Sequence, residues 1–284
     1  MQAAEVRRAV AAAMTVASAA GLAVDDAVVL NDSNRLVVRL TPCDMVARVT
    51  PMTHHAGHHM SAEREVELVK RLAQAGSPVA ALDARVEPRV FVHNGFKVSL
   101  WTYFEPVESR ILPAGYALAL ERLHAGLRQI DFTSPHVMDR IAAVQQDVAS
   151  RDVTPDLADT DRALLASMLR DLKRPIVSRR VPEQLLHGEP HRWNVLNTKN
   201  GPLFTDFENT AHGPVEYDLA WVPKAVSDRY RDADQDLVGE CRGLVLAMVA
   251  AYRWRRDDQH PSGRQSGVAL LHVLRDGPPW PAVA

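Results

Sequence analysis

The sequence predicts an α+β fold with two lobes, and three observations support this prediction. After an N-terminal helical pattern, short strand patterns with one helix among them occupy the region before Pro113, helical spacing dominates after it, and a compact strand and hairpin segment begins at Gln184. Strands that precede a block of helices are typical of α+β folds. We therefore predict a small antiparallel-sheet lobe with one helix, residues 1–103, and a larger, mainly helical lobe, residues 104–284.

The N-terminal segment is predicted to be an amphipathic helix. Val6, Val10 and Met14 recur every four residues, and Gly21 stands where the helix can end. Arg7 with the alanine-rich stretch behind it also has the appearance of a secretory signal. Because alanine forms helices well but is weakly hydrophobic, the pattern favours a packed helix over an export signal.

Three strand patterns follow, and a histidine-rich loop separates the last of them from a helix. The strand patterns cover residues 28–30, 35–40 and 45–50. The loop contains His54, His55, His58 and His59. A metal site is one interpretation of this cluster. A solvated loop is favoured, because a single loop lacks the second element that usually closes a rigid metal site.

The next helix carries an acidic residue on its apolar face. Ser61 is the predicted N-cap and Gly76 ends the helix. Glu65 precedes Val69 by four residues and Leu72 by seven, so it shares their face. A carboxylate in that position needs a partner. A hairpin around the Asn-Gly pair at 94–95 completes the predicted sheet.

The second lobe is predicted from helical spacing of apolar residues. The predicted helices cover residues 116–130, 137–148, 164–172, 233–255 and 263–275. Between the third and fourth helices, a short strand at 184–186 enters a loop, and a hairpin turns at Asn200 and Gly201.

This loop and hairpin carry three oxygen-bearing side chains, Glu189, Asn194 and Asp206. Gly188 and Pro190 break regular structure around Glu189, and the hairpin is expected to return the chain so that Asp206 ends near Asn194. One carboxylate that takes a proton from a hydroxyl, together with two oxygen donors for Mg²⁺, is the set that phosphoryl transfer needs.

Three motifs in this order resemble the aminoglycoside phosphotransferase and choline kinase family, which has a protein-kinase-like fold. The family's catalytic loop is His-Gly-Asp-x-His-x-x-Asn, and residues 187–194 are HGEPHRWN. The metal-binding segment is matched by TDFE at 205–208, and the family's Gly-x-x-x-Tyr-Asp-Leu-Ala by GPVEYDLA at 213–220. The sequence departs from the family at Glu189, where the family has Asp.

The resemblance implies a nucleotide site and a metal site. It implies ATP or GTP with Mg²⁺ as cofactors, and Asn194 and Asp206 as the metal ligands. His187 would brace the catalytic loop beside Asn194 and the base Glu189. The nucleotide-binding candidates that it implies are Ser33, Asn34, Arg48 and Glu65. Arg48 would pair with Glu65, and the alternative is that the two are separate surface charges. The turn at 31–34 would cover the phosphates, and the alternative is a plain polar turn.

The predicted function is ATP-dependent phosphorylation of a hydroxyl group on a small molecule, such as an aminoglycoside or another hydroxylated metabolite. The alternative is a weak or inactive nucleotide-binding pseudokinase, because Glu189 has a stem one methylene longer than Asp. An acidic segment at 228–240 either receives a cationic acceptor or is a solvated helix N-terminus.

Composition limits the partners and the compartment. The net charge of −2 argues against binding of nucleic acid through bulk charge. Cys43 and Cys241 are too few for a disulfide framework or a zinc site. With no run of eighteen apolar residues, the sequence predicts no membrane span, and we expect a cytoplasmic protein. The oligomeric state is left open.

Overall fold

The computed structural model describes residues 1–33, 35–52 and 60–283, and contacts divide the chain into two compact units. The first unit comprises Met1–Arg110 and Leu196–Asn209, and the second comprises Ile111–Val195 and Thr210–Ala284. The predicted lobe boundary at residue 103 stays a prediction.

The first unit is built on an antiparallel sheet that has five strands within the described residues. Its elements are α1 (Ala3–Ala19), β1 (Val24–Asp32), β2 (Leu36–Pro42), β3 (Met45–Pro51), α2 (Ala62–Gln74), β4 (Phe91–His93) and β5 (Phe96–Thr102). The strand order is β1-β2-β3-β5-β4, with antiparallel neighbours throughout. The predicted hairpin between β4 and β5 is confirmed, with Asn94 and Gly95 at positive φ in its turn.

One face of this sheet packs against α1. Leu36, Val38 and Leu40 of β2 are fully buried there and alternate with partly exposed neighbours, as period-two strands require. The helix is confirmed, and the predicted face with Val6, Val10 and Met14 packs against the core of the sheet. The residues that α1 buries are Ala9, Ala12, Ala13, Val16 and Ala17, whereas Val6, Val10 and Met14 are partly buried. Small alanine side chains let a helix approach a sheet more closely than larger residues do.

The opposite face of the sheet presents basic and aromatic side chains. Arg48 on β3 is the cross-strand partner of Val37 on β2 and of Ser99 on β5. The guanidinium of Arg48 lies over the ring of Trp101, 4.3 Å from its centroid. Since cross-strand partners share a face, Arg48 lies on the side of the sheet away from α1.

A short hairpin, β7 (Val195–Thr198) and β8 (Gly201–Phe204), ends just before Asp206. Within the first unit, Phe204 donates its N–H to the carbonyl of Pro78 at 2.8 Å, and its own carbonyl accepts from the N–H of Ala80 at 2.9 Å. These bonds fix the chain immediately before Asp206, and the hairpin predicted around Asn200 and Gly201 is confirmed.

The second unit is mainly helical. Its described elements are α3 (Pro113–Leu127), α4 (Val137–Ala149), α5 (Asp159–Asp171), α6 (Lys173–Ser178), β6 (Glu183–Leu186), β9 (Ala211–Pro214), α7 (Val215–Ala220), α8 (Lys224–Ser227), α9 (Gln235–Tyr252) and α10 (Gly263–Asp276). Twelve of its residues are buried along α9, which packs against α4, α5, α7 and α10. The five predicted helices are confirmed by α3, α4, α5, α9 and α10.

The loop at 187–194, which is predicted to be catalytic, follows a two-stranded sheet that the sequence indicates only in part. The predicted strand β6 is confirmed, and it pairs antiparallel with β9, where Leu186 stands opposite Ala211. The sequence carries no clear signal for β9, α6, α7 or α8, which span four to six residues and are too short for periodicity to reveal. Among the described residues, no helix is both long enough and apolar enough to cross a bilayer.

Candidate active site

In the first unit, Glu65 is held by two arginines. Arg48 Nη1 donates to Glu65 Oε1 at 2.8 Å, and Arg35 Nη1 donates to Oε2 at 2.5 Å. The backbone N–H of Phe207 also donates to Oε1, at 3.1 Å. The predicted ion pair between Arg48 and Glu65 is therefore confirmed, and Arg35 is an additional partner.

These contacts keep Glu65 ionised although it is 1% exposed. Burial by itself raises the pKa of a carboxyl group, but the charges of Arg35 and Arg48, together with the Phe207 N–H, outweigh it and lower the pKa of Glu65 to about 2. The carboxylate is fixed from three sides, so it holds both guanidinium groups in defined places.

Asp206 follows β8 with a left-handed backbone, at a φ of 64°. Its Oδ1 lies 3.5 Å from Arg35 Nη2, but no donor among the described residues makes a hydrogen bond to that oxygen. Burial and the nearby Glu208 raise the pKa of Asp206 to about 7, against the opposing effect of Arg35. A carboxylate oxygen without a donor, on a strained backbone, fits a cation ligand.

Glu208 is engaged by the same arginine. Arg35 Nη2 forms an ion pair with Glu208 Oε2, and the Glu208 side chain is 12% exposed. Among the described residues, no cluster of three or more His, Cys, Asp or Glu side chains has the geometry of a metal site.

The predicted phosphate-covering turn is described in part. Ser33 is exposed, and its Oγ accepts a hydrogen bond from Asn31 Nδ2 at 3.2 Å. Asn34 lies outside the described residues, as do His54, His55, His58 and His59. The proposed role of Ser33 and Asn34 toward phosphate stays a prediction.

In the second unit, Asp218 supports the start of the catalytic loop. Its carboxylate accepts the backbone N–H of His187 at 2.9 Å and that of Gly188 at 2.8 Å. His124 Nε2 lies 2.9 Å from Asp218 Oδ2, and its Nδ1 lies 2.8 Å from the hydroxyl of Tyr230. The fully buried His124 therefore links helix α3 to the loop through Asp218.

Two hydrogen bonds within the loop meet at the backbone carbonyl of Glu189. The carbonyl oxygen of Glu189 accepts the N–H of His191 at 2.8 Å and the side-chain Nδ2 of Asn194 at 3.0 Å. Because Asn194 uses its amide nitrogen in this bond, its Oδ1 is the atom that remains for a cation. The fully buried His187 takes the Glu189 N–H on its Nδ1 at 3.4 Å, which is consistent with a bracing role.

The side chain of Glu189 has an arginine partner that the sequence did not indicate. Arg140 Nη2, on helix α4, donates to Glu189 Oε1 at 2.8 Å. The Arg140 side chain is 6% exposed and that of Glu189 is 17% exposed. Burial lowers the pKa of Arg140, but Tyr217, Glu189 and Tyr252 outweigh it, so the net pKa is raised and the guanidinium stays charged.

His191 and Arg192 of the loop each contact an aromatic ring. The ring of His191 meets that of Trp221 edge to face at 5.8 Å, and burial lowers the pKa of His191. The guanidinium of Arg192 lies 4.2 Å from the centroid of the exposed Trp193 ring.

Three acidic residues of the segment at 228–240 form ion pairs within the second unit. Arg179 binds both Asp234 and Glu240, at 2.8 and 2.9 Å, while Lys224 binds Asp228 at 2.7 Å. Asp234 also caps α9 by accepting two backbone N–H groups. These pairings favour a role at the helix N-terminus over reception of a cationic acceptor.

Sequence reasoning missed Arg35 and Arg140 for different reasons. Arg140 lies three residues after Val137 and four before Val144, so it shares the buried face of α4. The argument that found Glu65, a charge on an apolar helix face, would have found Arg140 as well. Arg35 stands in a turn and had no comparable local signal.

The antiparallel sheet with its Glu–Arg pair and the helical unit with its braced carboxylate loop define the protein-kinase-like class of phosphotransferases. The chain belongs to the phosphotransferase enzyme family known as APH, whose model matches residues 16–258. The search of curated proteins found no match.

Solved structures with the same fold cover nearly the whole chain. The amicoumacin kinase hAmiN, in complex with AMP-PNP, Ca²⁺ and Ami, is 13% identical with a TM-score of 0.67, over 99% of this chain and 98% of its own. The GDP complex of aminoglycoside 2'-phosphotransferase-IIIa is 14% identical with a TM-score of 0.73, over 97% and 99%. A choline/ethanolamine kinase family protein from Mesorhizobium loti is 15% identical with a TM-score of 0.67, over 97% and 94%. The predicted fold class and family are confirmed.

Proposed function

We propose that the protein transfers the γ-phosphate of ATP to a hydroxyl group of a small molecule. The observation that carries this proposal is the carboxylate of Glu189 on a loop whose backbone is fixed at both ends. Asp218 holds the loop's first N–H groups, and Asn194 holds the carbonyl of Glu189. A base fixed in this way is what a reaction governed by positioning requires.

Asp206 and Asn194 are the proposed metal ligands. Support comes from the Asp206 oxygen that lacks a hydrogen-bond donor among the described residues and from the Asn194 amide, whose nitrogen is already used. Mg²⁺ at these oxygens would neutralise the charge of the phosphates. Glu65 fixes Arg48, whose guanidinium is the proposed nucleotide phosphate contact in the first unit.

In the proposed step, Glu189 accepts the proton of the acceptor hydroxyl as its oxygen bonds to the γ-phosphorus. The bond between the γ-phosphorus and the β–γ bridging oxygen breaks, and ADP leaves with that oxygen. The proton stays on Glu189 until it passes to solvent, so the charges balance. A nucleotide-dependent reaction of this kind also supports the proposed cytoplasmic location.

A second candidate function is a nucleotide-binding protein of low catalytic activity. The observation in its favour is the ion pair of Glu189 with Arg140, which occupies one oxygen of the proposed base. Phosphotransferase family membership and the braced loop favour the enzyme, but both candidates keep the same nucleotide site.

An ATP-consumption screen of the purified protein against hydroxylated metabolites and aminoglycosides tests the proposal. We expect at least one acceptor to accelerate ADP formation, and Glu189→Gln to abolish the acceleration. Equal turnover in the variant would remove Glu189 from the mechanism. Binding of Mg·ATP to Asp206→Asn, measured by calorimetry, tests the metal ligand separately, and undiminished affinity would overturn that assignment.

A further inference from the structure

Helix α4 delivers a buried arginine to the catalytic loop. Arg140 lies one turn into this helix, and its Nη2 donates to Glu189 Oε1 at 2.8 Å. The contact lies wholly within the second unit. An arginine on the buried face of a helix is costly unless it is paired, so its place there calls for a function.

The anchoring of Glu189 differs between its backbone and its side chain. Its carbonyl oxygen is held by His191 and Asn194, as the loop requires. Its side chain is longer than the family's aspartate by one carbon–carbon bond, about 1.5 Å, and gains a torsion angle. Without a second anchor, the carboxylate would sample several positions around the reacting hydroxyl.

We propose that Arg140 is a positioning residue that adapts the catalytic loop to glutamate at position 189. The guanidinium holds Oε1, and Oε2 is then the oxygen that takes the proton. The inference rests on the proposed phosphotransferase function and adds to it the reason why the longer base is compatible with the loop. A displacement of about 1 Å at a reacting group costs roughly a hundredfold in rate, which sets the size of the expected effect.

The role differs from that of an ordinary structural ion pair. A structural arginine would affect folding in the same way whatever stands at position 189. A positioning arginine affects turnover, and its effect vanishes once Glu189 has lost its function as a base. Double-mutant cycles separate the two because residues that act as a unit are strongly non-additive.

The experiment measures ADP formation from Mg·ATP, with water as the acceptor, in Arg140→Met, Glu189→Gln and the double variant. We expect Arg140→Met to lower kcat about a hundredfold with KM for Mg·ATP within about twofold, and to cost less than about twofold in the Glu189→Gln background. Arg140→Lys keeps the charge but not the fork geometry, and we expect it to restore about tenfold of the lost rate.

Arg242→Met is the matched control. Arg242 is also 6% exposed and lies on a helix of the second unit, but it donates to Ser227 Oγ at 2.8 Å and to the carbonyl of Val222 at 3.3 Å. Thermal unfolding of both methionine variants measures the loss of a buried guanidinium. We expect kcat of folded Arg242→Met to stay within about threefold of the wild type.

Four outcomes would overturn the proposal. Unchanged kcat in Arg140→Met, or an equal loss in both backgrounds, would make Arg140 a structural residue. An increased kcat would make the ion pair an inhibitory contact. If the wild type forms no more ADP than Glu189→Gln, both with water and with the acceptors of the screen, the proposed function fails, and the inference fails with it. If Arg140→Met does not fold, the same cycle with Arg140→Lys decides between a positioning and a structural role.

Discussion

The substitution Glu65→Gln removes the charge that holds two arginines while it keeps the shape of the side chain. Glu65 is 1% exposed, and its pKa is lowered from 4.5 to about 2. A difference of one pKa unit corresponds to about 1.4 kcal/mol, so ionisation of Glu65 contributes about 3 kcal/mol at pH 7. This agrees with the roughly 3–5 kcal/mol that breaking a buried ion pair costs.

The pH dependence of this contribution has a definite sign. Because the pKa of Glu65 is lower in the folded state than in the unfolded state, the stabilisation is complete above about pH 5 and decreases as the pH falls toward 2. At pH 3 about 1 kcal/mol remains, since the folded-state carboxylate is still mostly ionised. The difference in unfolding free energy between wild type and Glu65→Gln should therefore be about 2 kcal/mol smaller at pH 3 than at pH 7.

Urea unfolding at pH 7 and pH 3, followed by circular dichroism, measures this difference. Glu67→Gln is the control, because Glu67 lies on the same helix and pairs with Arg71 at 2.7 Å, but both side chains are 44% exposed. We expect the control to cost less than about 0.5 kcal/mol. A loss below about 1 kcal/mol in Glu65→Gln at pH 7, or a loss that does not change with pH, would refute the reasoning.

Two further predictions concern the second unit. Asp218→Asn should lose about 2 kcal/mol of stability and lower turnover, because an amide cannot replace both acceptors for the N–H groups of His187 and Gly188; a melting temperature and a turnover rate equal to wild type would contradict this. Gly213→Ala would place a Cβ 2.8 Å from Val137 Cγ2 on helix α4. We expect a loss of about 1–3 kcal/mol in thermal unfolding, and an unchanged melting temperature would show that the helix accommodates the added methyl group.

The sequence predicts those helices and strands that are long enough to show a periodic pattern of apolar residues. The strands of the sheet, the helix of Glu65 and the five longer helices of the second unit follow from spacing, caps and turn residues. The elements α6, α7, α8 and β9 are too short for a periodic pattern, and their positions depend on packing against other parts of the unit. The most deeply buried positions of α1 are mainly alanines, which carry little hydrophobic signal in a sequence although they pack closely.

The contacts of the candidate site also differ in whether a local sequence pattern predicts them. Pairing of Arg48 with Glu65 was predictable, because both side chains occupy regular elements and one of them violates the local polarity pattern. Arg35 joins Glu65 and Glu208, residues distant from it in sequence, so no local pattern contains its role. The roles of these residues toward nucleotide and metal are not fixed by the fold alone.

The proposed functional carboxylates of the two units are both held by arginines that are distant in sequence, so local sequence patterns do not reveal how they are held. Glu65 is ionised and fixed by Arg48 of β3 and by Arg35, which immediately precedes β2, and Glu189 is held by an arginine from helix α4. Arginine suits both places, because its charge persists on burial and its planar fork fixes the direction of an oxygen atom. Each carboxylate therefore depends on an arginine that is distant from it in sequence. Changes at Arg35 or Arg140 should alter the chemistry while the local backbone structure around Glu65 and Glu189 remains.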